Sequence, residues 1–160
     1  IRLESSSTDY VIRECSLDGI IRAALRKFSS QFIRKKLTLE YSPAECTVLT
    51  DEKWLLFVVG QVLSNSLKYT KIGGIKIDFR DGVLRISDTG IGIAPEDLPR
   101  IFDKGFTGCN GRSDMKASGL GLYLCRRICG ALGHSITAES GDGGTTVSID
   151  LSRNSVDVRE

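Results

Sequence analysis

The chain has 160 residues, a length that predicts one domain. Hydrophobic residues make up 41% of it and charged residues 26%, and these ordinary globular proportions argue against intrinsic disorder. The net charge is +2, so nothing in the composition requires nucleic acid or an anionic membrane as a partner. Apolar runs such as 54–59 fall far short of the roughly 20 residues that span a bilayer, and no signal peptide is recognised. Because the chain starts at Ile1 rather than Met, we expect it to be an excised part of a longer protein.

The cysteine and histidine content argues against a disulfide framework and a zinc site. The five cysteines, at positions 15, 46, 109, 125 and 129, form no C-x-x-C motif, and the chain has a single histidine. We therefore expect free thiols in a reducing cytosol, several of them buried.

The first half of the chain predicts two helices with short strands around them. Apolar residues recur at intervals of three and four from Leu17 to Phe32, behind Ser16 as a plausible N-cap, and Asp51 is expected to cap the second helix in the same way. In chain order the predicted elements are a linker at 1–10, a strand at 11–14, a helix after Ser16, strands at 36–41 and 48–49, and a helix at about 52–70.

The second half predicts two hairpins separated by a long loop and a third helix. The predicted elements are a hairpin at 74–88 around Asp81-Gly82, an irregular stretch at 89–117 with one short helix at 95–101, a helix at 120–132, a strand pair around the turn 141–144, and a flexible tail at 152–160. The order predicts a two-layer α/β (α+β) sandwich, in which a mixed, mostly antiparallel sheet carries about three helices on one face. The domain is expected to span 11–151.

A polar patch lies on the second predicted helix. Gln61, Asn65 and Lys68 share one helix face beside the apolar one, and Tyr69 follows them. A solvated stripe would have the same pattern. Alternatively, the Asn65 carbonyl is a hard oxygen ligand suited to Mg²⁺, and Lys68 one turn on could meet a phosphate.

A second patch follows the strand that starts at 83. Asp88 has the strand parity of Leu84 and Ile86, so we expect its carboxylate on the core face, where it is costly unless it is hydrogen-bonded. It could accept from a ligand amino group, and Gly90 and Gly92 would let backbone approach a planar ligand. A polar turn satisfied by backbone N–H groups would fit equally well.

Two further patches frame the last helix and strand. The run 118–122 places glycines at a helix start, where phosphate can approach, although it is not a P-loop and simple helix–loop packing stays open. The run 144–147 carries two threonines, which are also ordinary strand residues. The loop 95–117 between the second and third patches is rich in glycines and cations and suits a mobile lid.

Each patch is a weak signal alone, but their order and spacing together resemble a known superfamily. Asn65 with its neighbours, Asp88-x-Gly90-x-Gly92, Gly119-x-Gly121 and Gly144-Thr145 resemble in turn the N, G1, G2 and G3 boxes of the GHKL ATPases. Within that superfamily the chain resembles the catalytic and ATP-binding domain of bacterial sensor histidine kinases over 11–151. The segment 61–69 is close to the kinase N box and 102–106 to its F box. Residues 102–112 are similar to intramembrane-sensing kinases that work beside peptide-antibiotic transporters.

The resemblance implies a Bergerat-type (GHKL-like) ATP-binding fold that takes ATP and Mg²⁺. It implies that Asn65 holds the Mg²⁺ bridging the ATP phosphates, that Lys68 meets phosphate and that Tyr69 borders the nucleotide. Asp88 is expected to accept from the adenine amino group. The other implied nucleotide contacts are Gly90, Gly92, Ile93, Phe102, Lys104, Arg112, Lys116, Gly119, Leu120, Gly121, Leu122, Thr145 and Thr146.

Some of these residues have narrower implied roles. Gly119 and Gly121 are expected to hinge the lid and to place the helix start near phosphate. Thr145 is expected to support the adenine end, with Thr146 competing for that role. The cations Lys104, Arg112 and Lys116 are lid candidates.

Three positions depart from the family's pattern. Gln61 stands where such kinases often have an acidic residue that helps to activate the attacking histidine, and it cannot act as a carboxylate base. Asp142 stands where the G3 pattern often has its first glycine. His134 lies outside the His-Glu/Asp setting of a phosphoacceptor, so we expect it to be structural or exposed.

The leading functional hypothesis is a protein-histidine kinase domain that transfers the γ-phosphoryl of ATP to a histidine on a separate dimerisation domain. The implied partners are that phosphoacceptor domain and a response regulator, with no nucleic acid. This chain is expected to be a monomer, and the parent a homodimer anchored in the bacterial membrane with this domain in the cytoplasm. The alternative is a degenerate, non-catalytic nucleotide-binding module, which Gln61 favours. A third possibility, an ATPase of the gyrase, Hsp90 or mismatch-repair type, usually has a catalytic Glu in the N-box helix and a transducer domain.

Overall fold

In the computed structural model, which describes residues 9–106 and 121–152, helices lie on one face of a five-stranded sheet. The strands of the described residues are β1 (Arg13–Ser16), β2 (Thr38–Tyr41), β3 (Thr47–Thr50), β4 (Gly74–Arg80), β5 (Val83–Asp88), β6 (Ser135–Gly141) and β7 (Gly144–Asp150). The helices of the same residues are α1 (Leu17–Lys35), α2 (Glu52–Tyr69) and α3 (Gly121–Ala131), and a 3-10 turn lies at Leu98–Arg100.

The main sheet has the strand order β2-β4-β5-β7-β6. Only β2 and β4 pair in parallel, and every other neighbouring pair is antiparallel. The predicted α/β sandwich with a mixed, mostly antiparallel sheet is therefore confirmed.

The pairing of β1 with β3 departs from the expectation of a single sheet. These two four-residue strands form their own antiparallel pair, with Ser16 opposite Thr47 and Arg13 opposite Thr50. Because β1 leads directly into α1 and β3 into α2, the pair ties together the N-terminal ends of the two helices.

The core lies between the helices and one face of the sheet. Ile77, Ile86 and Val147 stand side by side across β4, β5 and β7, and their side chains are buried. Alternate residues of the same strands, such as Arg85 and Ser148, lie on the polar outer face. This alternation places the side chains of residues 84, 86 and 88 of β5 on the face that packs against the helices.

Both predicted helix caps are present. The Ser16 hydroxyl accepts from the Gly19 N–H at 3.0 Å, and the Asp51 carboxylate accepts from the Trp54 N–H at 3.1 Å. The second helix ends at Tyr69, one residue short of the prediction, because Thr70 is extended.

Two predicted strands and one helix begin at different residues from those expected. The first strand starts at Arg13 rather than Val11, because the Val11 N–H is bonded to Asp51 Oδ2 at 2.8 Å instead of to a strand. The short helix predicted at 95–101 is a 3-10 turn of three residues containing Pro99. The strand predicted from 36 begins at Thr38, because Lys36 has a φ of 57° at the C-cap of α1.

The two hairpins have the predicted turns. Asp81 and Gly82 have φ values of 55° and 79°, so the β4–β5 connection is a two-residue turn with both residues left-handed. In the second hairpin Gly141 pairs with Gly144 around two intervening residues. None of the helices in the described part of the chain has the length and apolar character that a membrane crossing needs.

Candidate functional site

The carboxylate of Asp88 ends β5 on the core face, as its parity predicts. Its Oδ1 atom accepts two backbone hydrogen bonds, from the Gly90 N–H at 2.9 Å and from the Thr145 N–H at 3.2 Å. Both bonds end on one oxygen, so the carboxylate is fixed in orientation while Oδ2 keeps its acceptor capacity for a ligand. The side chain is only partly buried, which leaves it open to such a ligand.

Glycines bring the backbone close around this carboxylate. A Cβ at Gly90 would lie 2.4 Å from the Tyr69 carbonyl oxygen and 3.0 Å from Asp88 Oδ1. A Cβ at Gly144, where φ is 124°, would lie 1.9 Å from the Asp88 carbonyl oxygen. Any side chain at either position would push apart the strands and loops that hold the carboxylate.

The loop after β5 is tied to elements on both sides of it. The Ile91 N–H donates to the Tyr69 carbonyl at 3.1 Å, and the Ile93 N–H donates to Ser140 Oγ at 2.7 Å. Gly92 between them has a φ of 80°. The predicted residues 88–93 therefore lie between the C-terminal end of α2 and the β6–β7 hairpin.

The two threonines of the fourth patch lie on opposite faces of the sheet. Thr145 pairs with Asp88 and lies on the core face, and its hydroxyl is 3.0 Å from Ser140 Oγ. Thr146 pairs with Ser87 on the outer face, with the two hydroxyls 2.9 Å apart. The structure thus places Thr145, and not Thr146, on the face of the Asp88 carboxylate, and the role of either threonine in binding stays a prediction.

Ser140 is a part of the site that the sequence analysis did not single out. Besides accepting from Ile93, its hydroxyl donates to the Gly144 carbonyl at 3.2 Å. It stands directly opposite Thr145 across the second hairpin. A two-residue turn at 142–143 implies this pairing. The sequence alone does not fix the length of the turn, so it did not indicate that Ser140 lies opposite Thr145.

The N-box residues lie on one face of α2 beside its buried face. Gln61 and Asn65 are half-buried and Lys68 is exposed, whereas the intervening Leu63 and Leu67 are fully buried. The Lys68 Nζ lies 5.4 Å from the centroid of the neighbouring Tyr69 ring, a cation–π distance. Tyr69 is itself half-buried, and its carbonyl bonds the loop after Asp88, so α2 and the carboxylate share one site.

The first residue of α3 lies against this face of α2. A Cβ at Gly121 would be only 2.5 Å from Gln61 Oε1. Leu122 follows it, half-buried and packed on the core cluster. The predicted second and third helices therefore meet at Gln61 and Gly121.

Two residues of the F-box segment, Phe102 and Lys104, line a groove beside α3. Phe102 is 9% exposed, in the core cluster, and lines the groove, of about 560 Å³, together with Lys104, Tyr123 and Arg126. Neither Asp88 nor an N-box residue lines this groove. Arg112, Lys116, Gly119 and Leu120 fall outside the described residues.

A Mg²⁺ ion at this site would depend on the nucleotide for most of its ligands. Within residues 9–106 and 121–152, no group of three or more His, Cys, Asp or Glu side chains could hold a metal ion. Mg²⁺ commonly binds through one or two protein oxygens, substrate phosphates and waters. The half-buried amide of Asn65 fits that pattern, since it offers one hard oxygen beside the proposed phosphate end of the site.

His134 has a structural environment, as expected. It is buried, with an exposed fraction of 3%, and its Nε2 lies 2.9 Å from Thr50 Oγ1. Burial lowers its pKa to about 4, and the Asp150 carboxylate opposes the shift. A neutral, enclosed imidazole of this kind does not present a nitrogen to a nucleotide.

Comparison with known proteins gives a family match over most of the described site. A family model described as "Histidine kinase-, DNA gyrase B-, and HSP90-like ATPase" matches residues 50–155. The chain is 34% identical to Sensor protein BceS of Halalkalibacterium halodurans, over 99% of this chain and 49% of that protein. It is 40% identical to Sensor histidine kinase GraS of Staphylococcus haemolyticus, over 91% of this chain and 44% of that protein. The chain thus spans about half the length of these curated relatives.

A solved structure has the same fold. It is that of full-length ShkA in complex with AMPPNP, which superposes with a TM-score of 0.76 at 23% identity. The match covers 96% of this chain and 33% of that one. At this level of identity the likeness concerns the fold.

Proposed function

This chain belongs to the histidine kinase-, DNA gyrase B- and HSP90-like ATPase family, and we propose that it is the Mg-ATP-binding catalytic domain of a two-component sensor histidine kinase. The observation that carries the proposal is the Asp88 carboxylate, held through Oδ1 by the Gly90 and Thr145 N–H groups. With the carboxylate fixed through Oδ1, its Oδ2 atom would accept a hydrogen bond from the exocyclic amino group of adenine.

The base contact can be tested by nucleotide choice. Adenine presents an amino donor where guanine presents a carbonyl acceptor, which the Asp88 carboxylate would repel. In calorimetric titrations, we expect ADP to bind and GDP to bind at least about tenfold more weakly, the cost of an unpaired acceptor at a charged group. Equal affinities for ADP and GDP would contradict the adenine assignment.

The phosphate end of the proposed site is the polar face of α2. Asn65 would supply the amide oxygen for Mg²⁺, and the Lys68 ammonium would meet a phosphate as a point charge. When bound, the ion would neutralise charge on the nucleotide phosphates. We expect Asn65→Ala to remove the Mg²⁺-dependent part of the affinity for a non-hydrolysable ATP analogue while leaving the Mg²⁺-free affinity unchanged. A Mg²⁺ effect of undiminished size in Asn65→Ala would contradict the ligand assignment.

The reaction proposed for the whole protein is transfer of the γ-phosphoryl group to a histidine on a dimerisation domain. Phosphoryl transfer depends chiefly on positioning and charge neutralisation, which an amide, cations and backbone N–H groups can supply. His134 is buried and bonded to Thr50, so the acceptor would lie outside this chain. A response regulator would receive the phosphoryl group next. The parent would be a membrane-anchored homodimer of the intramembrane-sensing group, which the motifs at 102–112 predict and the similarity to BceS and GraS supports.

A second candidate is a degenerate module that binds nucleotide without transferring phosphate. Gln61 favours it, because an amide cannot take the proton that an acidic residue at this position would take. A phosphotransfer assay with the native acceptor helix supplied in cis separates the two candidates. Phosphohistidine formation supports the kinase, whereas nucleotide binding without any phosphohistidine supports the degenerate module.

A further inference from the structure

The Ser140 hydroxyl uses its donor and both of its acceptor sites on three different residues. It accepts from the Ile93 N–H at 2.7 Å and donates to the Gly144 carbonyl at 3.2 Å. The Thr145 hydroxyl lies 3.0 Å away, and since the single Ser140 proton is already used, Thr145 is the donor of that bond. One side chain of β6 thus joins the loop after β5 to the start of β7.

The same two segments hold the Asp88 carboxylate. Asp88 Oδ1 accepts from the Gly90 N–H, in the loop after β5, and from the Thr145 N–H, in β7. Gly90 lies three residues before Ile93 in that loop, and Thr145 stands opposite Ser140 in the β6–β7 hairpin. The hydrogen bonds therefore close a ring that runs from Asp88 through the loop to Ser140 and back through β7.

We propose that Ser140 is a positioning residue for the Asp88 carboxylate, and that it thereby determines selectivity for the amino group of adenine. The inference rests on the proposed function. With the hydroxyl present, the spacing between the loop and β7 is fixed, so both N–H donors stay on Oδ1 and Oδ2 keeps one direction. Without it, the Ile93 N–H loses this acceptor, and Asp88 is held between two segments that can move apart. Ser140 acts in this way without touching the nucleotide.

A nucleotide that lacks the amino group distinguishes this role from a general contribution to the pocket. Purine riboside 5′-diphosphate has the ring, ribose and phosphates of ADP but carries hydrogen in place of the exocyclic amino group. If Ser140 acts through Asp88, its loss lowers the affinity for ADP and leaves that for the analogue nearly unchanged. If Ser140 only supports the fold or the pocket, both affinities fall by the same factor. A smaller folded fraction also lowers both apparent affinities equally, so their ratio is independent of a loss of stability.

The experiment is calorimetric titration of both diphosphates into the wild type, Ser140→Ala, Ser140→Thr and Ser135→Ala, each checked by thermal unfolding. Ser135 is a matched control, because it is an exposed serine of the same strand with the opposite parity. We expect the wild type to prefer ADP at least about tenfold, since the analogue leaves a charged acceptor without its donor. In Ser140→Ala the affinity for ADP should fall about fivefold, and the preference for ADP should fall to about twofold. Ser140→Thr, which keeps the hydroxyl, and Ser135→Ala should both keep the wild-type preference.

Two results would overturn the inference alone. One is a Ser140→Ala variant that prefers ADP as strongly as the wild type does, whether its two affinities are unchanged or equally lowered. The other is a loss of preference in Ser135→Ala as large as that in Ser140→Ala, because the effect would then not depend on the hydroxyl that bonds the loop. A folded wild-type chain that binds both diphosphates equally, or binds neither, would instead overturn the adenine assignment on which the inference rests.

Discussion

Asp88 and His134 differ in their ability to contact a ligand, because their hydrogen bonds and their burial differ. Asp88 has one oxygen fixed by two backbone N–H groups and remains partly exposed. His134 is enclosed, with one ring nitrogen beside Thr50 and the other without a partner among the described residues. The first arrangement leaves acceptor capacity for a ligand, and the second favours a neutral ring.

The burial of His134 predicts a pH dependence of stability. Its pKa is lowered from 6.5 to about 4 in the folded chain, so between these values the unfolded chain binds a proton that the folded chain does not. The free energy of unfolding should therefore fall as the pH drops through this window, by about 1.4 kcal/mol per pH unit for one proton. Urea unfolding of the wild type and of His134→Gln checks this, since the chain has no other histidine. A slope between pH 6.5 and about 5 that persists in His134→Gln would contradict the assignment.

The cysteines should differ in reactivity according to burial. Cys125 and Cys129 are buried in α3, and burial raises the pKa of both thiols, that of Cys129 to about 12. Cys46 is exposed. Because the thiolate is the reactive form, maleimide labelling of the native protein at neutral pH should modify Cys46 and should reach the α3 thiols only after unfolding. Mass spectrometry of the digested protein would read this, and native labelling of Cys125 as fast as that of Cys46 would contradict it.

Strand parity was enough to place Asp88 on the core face, and the same alternation, counted from the buried Val147 and Ile149, puts Thr145 rather than Thr146 on that face. Strand parity does not give the partner of each threonine across the sheet, which only the register decides. The register depends on a two-residue turn in a run of four candidate turn residues. Ser140 was missed for the same reason, because its place opposite Thr145 follows only from that register.

The N-cap residues of α1 and α2 differ in the number of backbone hydrogen bonds that their side chains accept. Ser16 makes one local bond to Gly19 and is exposed. Asp51 is buried, and besides the Trp54 N–H it accepts the Val11 N–H at 2.8 Å through its second oxygen. Asp51 therefore holds the segment before β1 as well as the start of α2.

This difference predicts unequal costs for two cap substitutions. Ser16→Ala should lower the free energy of unfolding by about 1 kcal/mol, the usual value of a cap. Asp51→Ala should cost about 2 kcal/mol or more, because it also leaves the Val11 N–H without its acceptor. Urea unfolding of the two variants measures both values under the same conditions. Equal losses would show that the Val11 bond adds nothing to stability.

Elements with strong local signals were predictable, and those set by distant contacts were not. Apolar periodicity and a capping residue placed α1 and α2 to within about one residue at their starts. The Asp81-Gly82 turn did the same for the β4–β5 hairpin. By contrast, nothing local shows that β1 starts at Arg13, since that boundary depends on where the Val11 N–H is bonded.

At the scale of the whole molecule, the sandwich follows from the order of elements, but the sheet membership of short strands does not. β1 and β3 have four residues each and could have joined the main sheet by pattern alone. They pair with each other because α1 and α2 pack side by side, which brings their starts together. The result is a domain in which the C-terminal end of α2, the loop after β5 and the β6–β7 hairpin converge on Asp88.

This convergence is the proposed adenine-nucleotide site. The most direct test is titration of ADP into the wild type and into Asp88→Asn, with thermal unfolding as the control for folding. The substitution preserves size and the acceptor for the Gly90 and Thr145 N–H groups, but it puts an amide NH₂ against the adenine amino group, so donor meets donor. We expect binding in the wild type and its loss in the folded variant. A folded Asp88→Asn variant that binds ADP with wild-type affinity would show that Asp88 does not contact adenine.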